Sequence, residues 1–235
     1  MGHKACGDLH LMLLNYEKAL RCFNVLFPRN SMDAVLMLDM AECYLQLEKV
    51  PTARKFLKMA NENGEEGEEL FFKFAECCKK EGRLKYAIRH YKEALNMNPF
   101  RDDVCRGLAE AYIFDGKYTK AKKMYRLATE VAPDYLYNWE VRAEFLFGIG
   151  QQEKALEVVK EAQFYFDSSI KLKYYEIAYI AALGKISQAK YYLKEALDED
   201  FTCRYFLFDA YPEFIKIVEL MKVIDKFDKD RLSNT

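Results

Sequence analysis

Histidine is scarce in this chain, present only at positions 3, 10 and 90 of 235. No two of them have metal-ligand spacing, so a histidine metal centre finds no support, and structural roles are expected for His10 and His90. The cysteines number seven, an odd count, with no CxxC and no Cys–His spacing suited to zinc. The adjacent Cys77 and Cys78 would point apart on a helix and form no disulfide. They are expected as reduced thiols packed in a core, in a cytoplasmic setting. An excess of either charge is also missing: Lys plus Arg is 36 against 37 for Asp plus Glu. Without a basic surplus, a nucleic-acid partner is not expected. No apolar run reaches the length of a bilayer span, and MGHKACGDLH lacks the regions of a secretory signal, so no membrane partner is expected either. Neither GxxxxGK[ST] nor GxGxxG occurs, and the acidic NENGEEGEE stretch lacks calcium-ligand spacing. No cofactor, metal or catalytic group is expected, which leaves an enzyme as the least favoured class.

A strict repeat is present instead. Alanines stand at 19, 53, 87, 121, 155 and 189, each 34 residues after the last. Seven residues on comes a second column of Leu26, Ala60, Ala94, Ala128, Ala162 and Ala196. Twelve residues before the first lies a third, Gly7, Ala41, Ala75, Ala109 and Ala143, which in the sixth unit meets Ile177, with Ala178 one later. Small residues at fixed spacing let helix backbones approach while larger neighbours fill the space between. Gly82, Gly116, Gly150 and Gly184 read as helix-ending glycines in short turns, and Pro51 as a residue of a helix's first turn. Each unit is predicted to be two antiparallel helices. One such hairpin cannot bury its apolar face, so the units must stack.

The period and pattern resemble the tetratricopeptide repeat over nearly the whole chain. Residues 102 to 135 fit best, through Leu108, Ala109, Tyr112, Gly116, Tyr118, Ala121, Tyr125, Ala128 and Pro133. The fifth unit adds Trp139, Ala143, Gly150, Ala155 and Ala162. The resemblance implies an all-α fold: a right-handed superhelical α-solenoid of about six helix-turn-helix repeats with a C-terminal capping helix. A single array is expected over 1–200, a capping region over 201–229 and a tail over 230–235. Within the segment 208–227, Phe214, Val218, Met221 and Ile224 recur at helical spacing, predicting an amphipathic capping helix opened near Pro212 that seals the last repeat. The pattern begins within a residue or two of Met1, which suggests a fragment cut at a repeat boundary or a face covered by another domain.

In this family the first helices line the concave groove. The residue after each small one in those helices is Asp8, Glu42, Glu76, Glu110 and Glu144, an acidic column spaced at roughly 10 Å on stacked helices. Two readings of it stand. As a binding groove it would receive a basic segment; as a structural feature its carboxylates would pair with Lys or Arg of the neighbouring repeat. Four residues earlier lies a mixed column, Lys4, Leu38, Phe72, Arg106, Glu140 and Tyr174, a better candidate for specificity, with Leu38 and Phe72 as apolar anchors. The family's grip on acidic chaperone tails is set aside, because Asp8 and Glu42 stand where Asn is needed. Exposed members of the aromatic cluster from Tyr174 to Tyr211 would suit a docking patch. The expected function is a non-catalytic scaffold, monomer or weak homodimer, binding a protein or peptide segment. The alternative is a ligand- or peptide-sensing regulatory domain of a larger protein.

Overall fold

The structure, a computed structural model, describes residues 2–28, 30 and 32–232. Among the described residues every regular element is a helix. They come in pairs: α1 (Gly2–Met12) with α2 (Tyr16–Leu26), α3 (Ala34–Gln46) with α4 (Val50–Glu62), α5 (Glu68–Lys80) with α6 (Leu84–Met97), α7 (Asp102–Phe114) with α8 (Tyr118–Val131), α9 (Leu136–Gly148) with α10 (Gln152–Tyr165), and α11 (Ile170–Ala182) with α12 (Ile186–Asp200). The chain forms two compact units, Met1–Leu127 and Ala128–Thr235.

One turn geometry closes all six pairs. Gly82, Gly116, Gly150 and Gly184 have φ between 69° and 77°, a left-handed conformation open to glycine without steric cost. The same place in the first two pairs holds Leu14 and Glu48, both at φ 57°. The next amide then donates back into the preceding helix: Arg83 N–H to the Cys78 carbonyl at 2.8 Å, Lys117 to Tyr112 at 2.7 Å, and likewise Asn15 to His10 and Lys49 to Tyr44. This bond satisfies a carbonyl that the helix end would leave orphaned.

The alanines from Ala19 to Ala189 are all fully buried, as are Ala60, Ala94, Ala128 and Ala162. Larger side chains interlock around them. In the first unit Phe23, Met40 and Leu36 fill the space between the first two pairs, and Met37, Leu57 and Leu70 that between the next two. The second unit has a continuous core from Trp139 to Ile224. Where the small column meets Ile177, both Ile177 and Ala178 are buried in the core of the second unit.

The capping helix expected to open near Pro212 begins only at Val218, after a break. After α12 come a 3-10 turn over Phe201–Tyr205, α13 (Phe206–Ala210), a second 3-10 turn over Pro212–Lys216, and α14 (Val218–Leu232). Pro212, which can open a helical turn but lacks an N–H to continue one, starts the second turn. The break resets the phase: α14 buries Leu220, Val223 and Ile224, while Val218 is exposed. Residues 233–235 of the expected tail lie outside the described residues.

Candidate partner-binding face

The acidic column lies on the seams between consecutive first helices. In the first unit three lysines occupy these seams, each between two carboxylates. Lys4 on α1 meets Asp8 at 3.3 Å and Asp39 on α3 at 2.5 Å. Lys73 on α5 meets Glu69 at 2.8 Å and Glu42 on α3 at 2.6 Å. Lys79 on α5 meets Glu76 at 3.0 Å and Glu110 on α7 at 2.7 Å. In every case one carboxylate is on the lysine's own helix, three or four residues away, and the other on the neighbouring first helix.

Lys73 is only 7% exposed. Burial disfavours its ammonium, but Glu42 and Glu69 outweigh that and hold its pKa above the ordinary lysine value. Lys79 is raised in the same way, burial being overcome by Glu76 and Glu110. Glu69 is held below the usual carboxylate value: burial opposes this, and Lys73 together with Arg101, whose guanidinium Nη1 lies 2.6 Å away, prevails.

Glu76 has a further partner that depends on a missing side chain. In the register that places Lys73 opposite Glu42, the next repeat offers Gly107 to Glu76. A Cβ at Gly107 would sit 2.6 Å from Cε1 of Tyr91. Its absence lets the fully buried Tyr91 ring of α6 pass, and the Tyr91 hydroxyl donates to Glu76. The second unit uses other chemistry at this place. Tyr175 donates its hydroxyl to Glu144 at 2.8 Å, and Lys171 donates to the buried Glu140 at 2.8 Å.

The mixed column separates. Leu38 and Tyr174 are core residues that offer a partner no surface, since Leu38 joins the α3–α4–α5 core. Tyr174 is fully buried, with its hydroxyl donated to the carbonyls of Ala196 at 3.1 Å and Asp200 at 2.7 Å. The helical position had placed both beside the groove, but their side chains turn inward. Phe72 is half-buried beneath the Arg101 guanidinium, 4.7 Å from its ring. Arg106 pairs with Asp102 one turn earlier.

Other expectations fall into place around this face. Burial pushes the thiols of Cys43, Cys77 and Cys105 up to about 12, so they stay protonated at neutral pH. His90 stacks against Phe71 and Phe74, and burial followed by Arg89 lowers its pKa. In the terminal aromatic cluster Tyr175 and Tyr179 are buried, whereas Tyr191 and Tyr205 are exposed.

The reading that the acidic column pairs with Lys or Arg of the neighbouring repeat describes Glu42 and Glu110, but it did not name Lys73 or Lys79 and did not foresee tyrosine partners, although a signal for them existed. Glu42 and Lys73, Lys79 and Glu110, Glu140 and Lys171, and Glu144 and Tyr175 are each 31 residues apart. Asn138, fully buried, was also missed. It donates to the carbonyls of Ala128 at 3.1 Å and Ala132 at 3.2 Å, while Trp139 Nε1 donates to Pro133 at 2.9 Å, tying α9 to the end of α8.

Residues 79–144 match the family model of the tetratricopeptide repeat. Among solved structures, PilW, a widely conserved type IV pilus biogenesis factor, superposes with a TM-score of 0.70 at 16% identity, over 87% of this chain and 94% of that one. PilF of Pseudomonas aeruginosa gives 0.67 at 14%, over 94% and 95%. YrrB, a tetratricopeptide-repeat protein with an unusual peptide-binding site, gives 0.52 at 18%, over 71% and 86%. No curated protein matches the chain. At such identities the likeness is one of fold. Fold, turns and stacked pairs define an α-solenoid with a C-terminal cap. Residues 79–144 carry the tetratricopeptide repeat, and the chain shares the paired-helix fold of the solved structures it resembles. No helix among its described residues is long and apolar enough to cross a membrane.

Proposed function

We propose that the chain is a non-catalytic interaction scaffold whose first-helix face receives a basic protein or peptide segment. The fold supports a binding role, as does the peptide-binding site named for the similar YrrB. The observation that carries the choice of a basic partner is the ratio along the seams of the first unit. Lys4, Lys73 and Lys79 each answer two carboxylates, and Arg101, which joins Lys73 at Glu69, also answers Asp103, so every seam keeps a negative surplus after its internal pairing. Asp8 and Glu110 carry that surplus outward, with side chains 44% and 42% exposed. Complementary charge here would set register and speed encounter more than it would supply affinity.

The test is a titration of a fluorescein-labelled Lys/Arg-rich peptide against the wild-type chain and against Asp8→Lys/Glu110→Lys. Binding that weakens with salt, and drops about tenfold in the double variant, is expected. Equal binding to both proteins would remove the first-helix face as the site.

A further inference from the structure

The C-terminal cap builds a second charged surface of opposite sign. Helices α12 and α14 pack together, and between them lies a groove of about 700 Å³ lined by Lys190, Lys194, Lys222, Lys226, Val223 and Phe227, with Glu219 and Asp230 also on its α14 wall. The lysines form two pairs four residues apart, one pair on each helix. None of the four has a carboxylate within ion-pair distance among the described residues. That sets them apart from Lys4, Lys73, Lys79, Lys171 and Lys173, each held within 3.5 Å of a carboxylate.

Same-sign charges four residues apart on a helix disfavour that helix, and two such pairs facing one groove compound the effect. A concave surface of one sign, with low-dielectric walls, concentrates its field where a counter-charge would enter. The floor is apolar through the buried Val223 and the half-buried Phe227. The geometry points to an acidic peptide segment as the occupant: carboxylates for the four ammonium groups, and a neighbouring aliphatic or aromatic side chain for the Val223–Phe227 floor. The concave shape of the groove argues against a flat anionic lipid surface, whereas a peptide can place its carboxylates at the four ammonium groups and away from Glu219 and Asp230. A single-stranded nucleic acid would find no exposed aromatic ring in the groove lining on which to stack its bases, and its evenly spaced phosphates could not avoid Glu219 and Asp230.

The opposite side of α12 supplies a competing occupant. Tyr192, Glu195, Asp198 and Glu199 line another cavity, of about 770 Å³, together with Asp167 and Glu176. A second copy of the chain offering this acidic cleft would also satisfy the lysines. The inference is independent of the first-helix face, since it concerns different residues and a partner of opposite charge.

The experiment is fluorescence anisotropy with a labelled eight-residue peptide of acidic pairs separated by Phe and Leu. It uses the wild-type chain, Lys222→Glu/Lys226→Glu, Lys190→Glu/Lys194→Glu, and the control Lys55→Glu/Lys58→Glu on α4, which alters net charge equally. Circular dichroism confirms that each variant is folded. Salt-sensitive binding that falls at least about tenfold in both groove variants and stays near wild type in the control is the expected result. Absence of binding, or an equal loss in the control, overturns the proposal. So does groove-dependent binding to phosphatidylserine-containing vesicles without peptide binding, or a dimer in sedimentation velocity that both groove variants dissolve.

Discussion

The lysines of the first-helix seams and those of the α12–α14 groove are the same residue type in opposite situations. In the seams each ammonium is enclosed by two carboxylates and, at Lys73, almost removed from water. In the groove four ammonium groups face one concavity and none forms an ion pair among the described residues, although Glu219 and Asp230 share the lining. A total charge of −1 therefore conceals two different uses of lysine. The seam lysines belong to the fold: losing one leaves two carboxylates crowded against each other. The groove lysines make no ion pair among the described residues, and the apolar core lies beneath them. A residue that does not help the fold is the better candidate for contact with another molecule.

Lys73→Met is the strongest way to break this contrast. It leaves Glu42 and Glu69 without their shared cation, and Glu69 with Arg101 alone. Stability in urea denaturation should fall by about 2–3 kcal/mol, somewhat under the cost typical of a fully buried pair because both carboxylates keep some solvent. A loss as small as that of an ordinary surface lysine would mean that the seam pairs contribute little, and the distinction between the two sets would lapse. Gly107→Ala probes the same seam without altering charge. The added methyl forces Tyr91 away from Glu76, and a loss of about 2 kcal/mol is expected from the overpacking and the lost hydroxyl bond. Combining it with Tyr91→Phe, which removes the hydroxyl alone, separates the two contributions.

How far the sequence discloses these sites follows from what repeats and what does not. The alanine columns and the glycine turns recur every 34 residues because backbone contacts admit few alternatives, so the paired helices could be read directly. The turn also tolerates substitutes: Leu14 and Glu48 hold the glycine conformation at φ 57°, which a search for glycine alone passes over. The acidic column was equally visible, but its partners change chemistry from seam to seam, from Lys73 to Tyr91 to Tyr175. The pairs made by Lys73, Lys79 and Tyr175 share an offset of 31 residues while Tyr91 reaches Glu76 over 15, and a reading confined to one repeat does not reveal the longer offset. Leu38 and Tyr174 show another limit. Position on a helix told which helix carried them, while the direction of each side chain was set by packing against the next one. The cap was the least legible part. Its apolar spacing suggested one helix opened near Pro212, and the break there kept Phe214 and Ile224 inward but turned Val218 out and brought Leu220 and Val223 in.

The smallest expected effect sharpens the comparison most. Lys222→Ala/Lys226→Ala removes two groove ammonium groups from α14 and keeps its buried face of Leu220, Val223 and Ile224 intact. If these lysines have no structural partner, the unfolding midpoint should stay level or rise slightly, by no more than about 0.5 kcal/mol, because like-charge repulsion along the helix is relieved and alanine favours the helix. Raising the salt concentration should erase even that gain, since screening weakens the same repulsion in the wild-type chain. A clear loss of stability would show instead that α12 and α14 are held together through these side chains. The groove lysines would then be counted with those of the seams, as part of the fold.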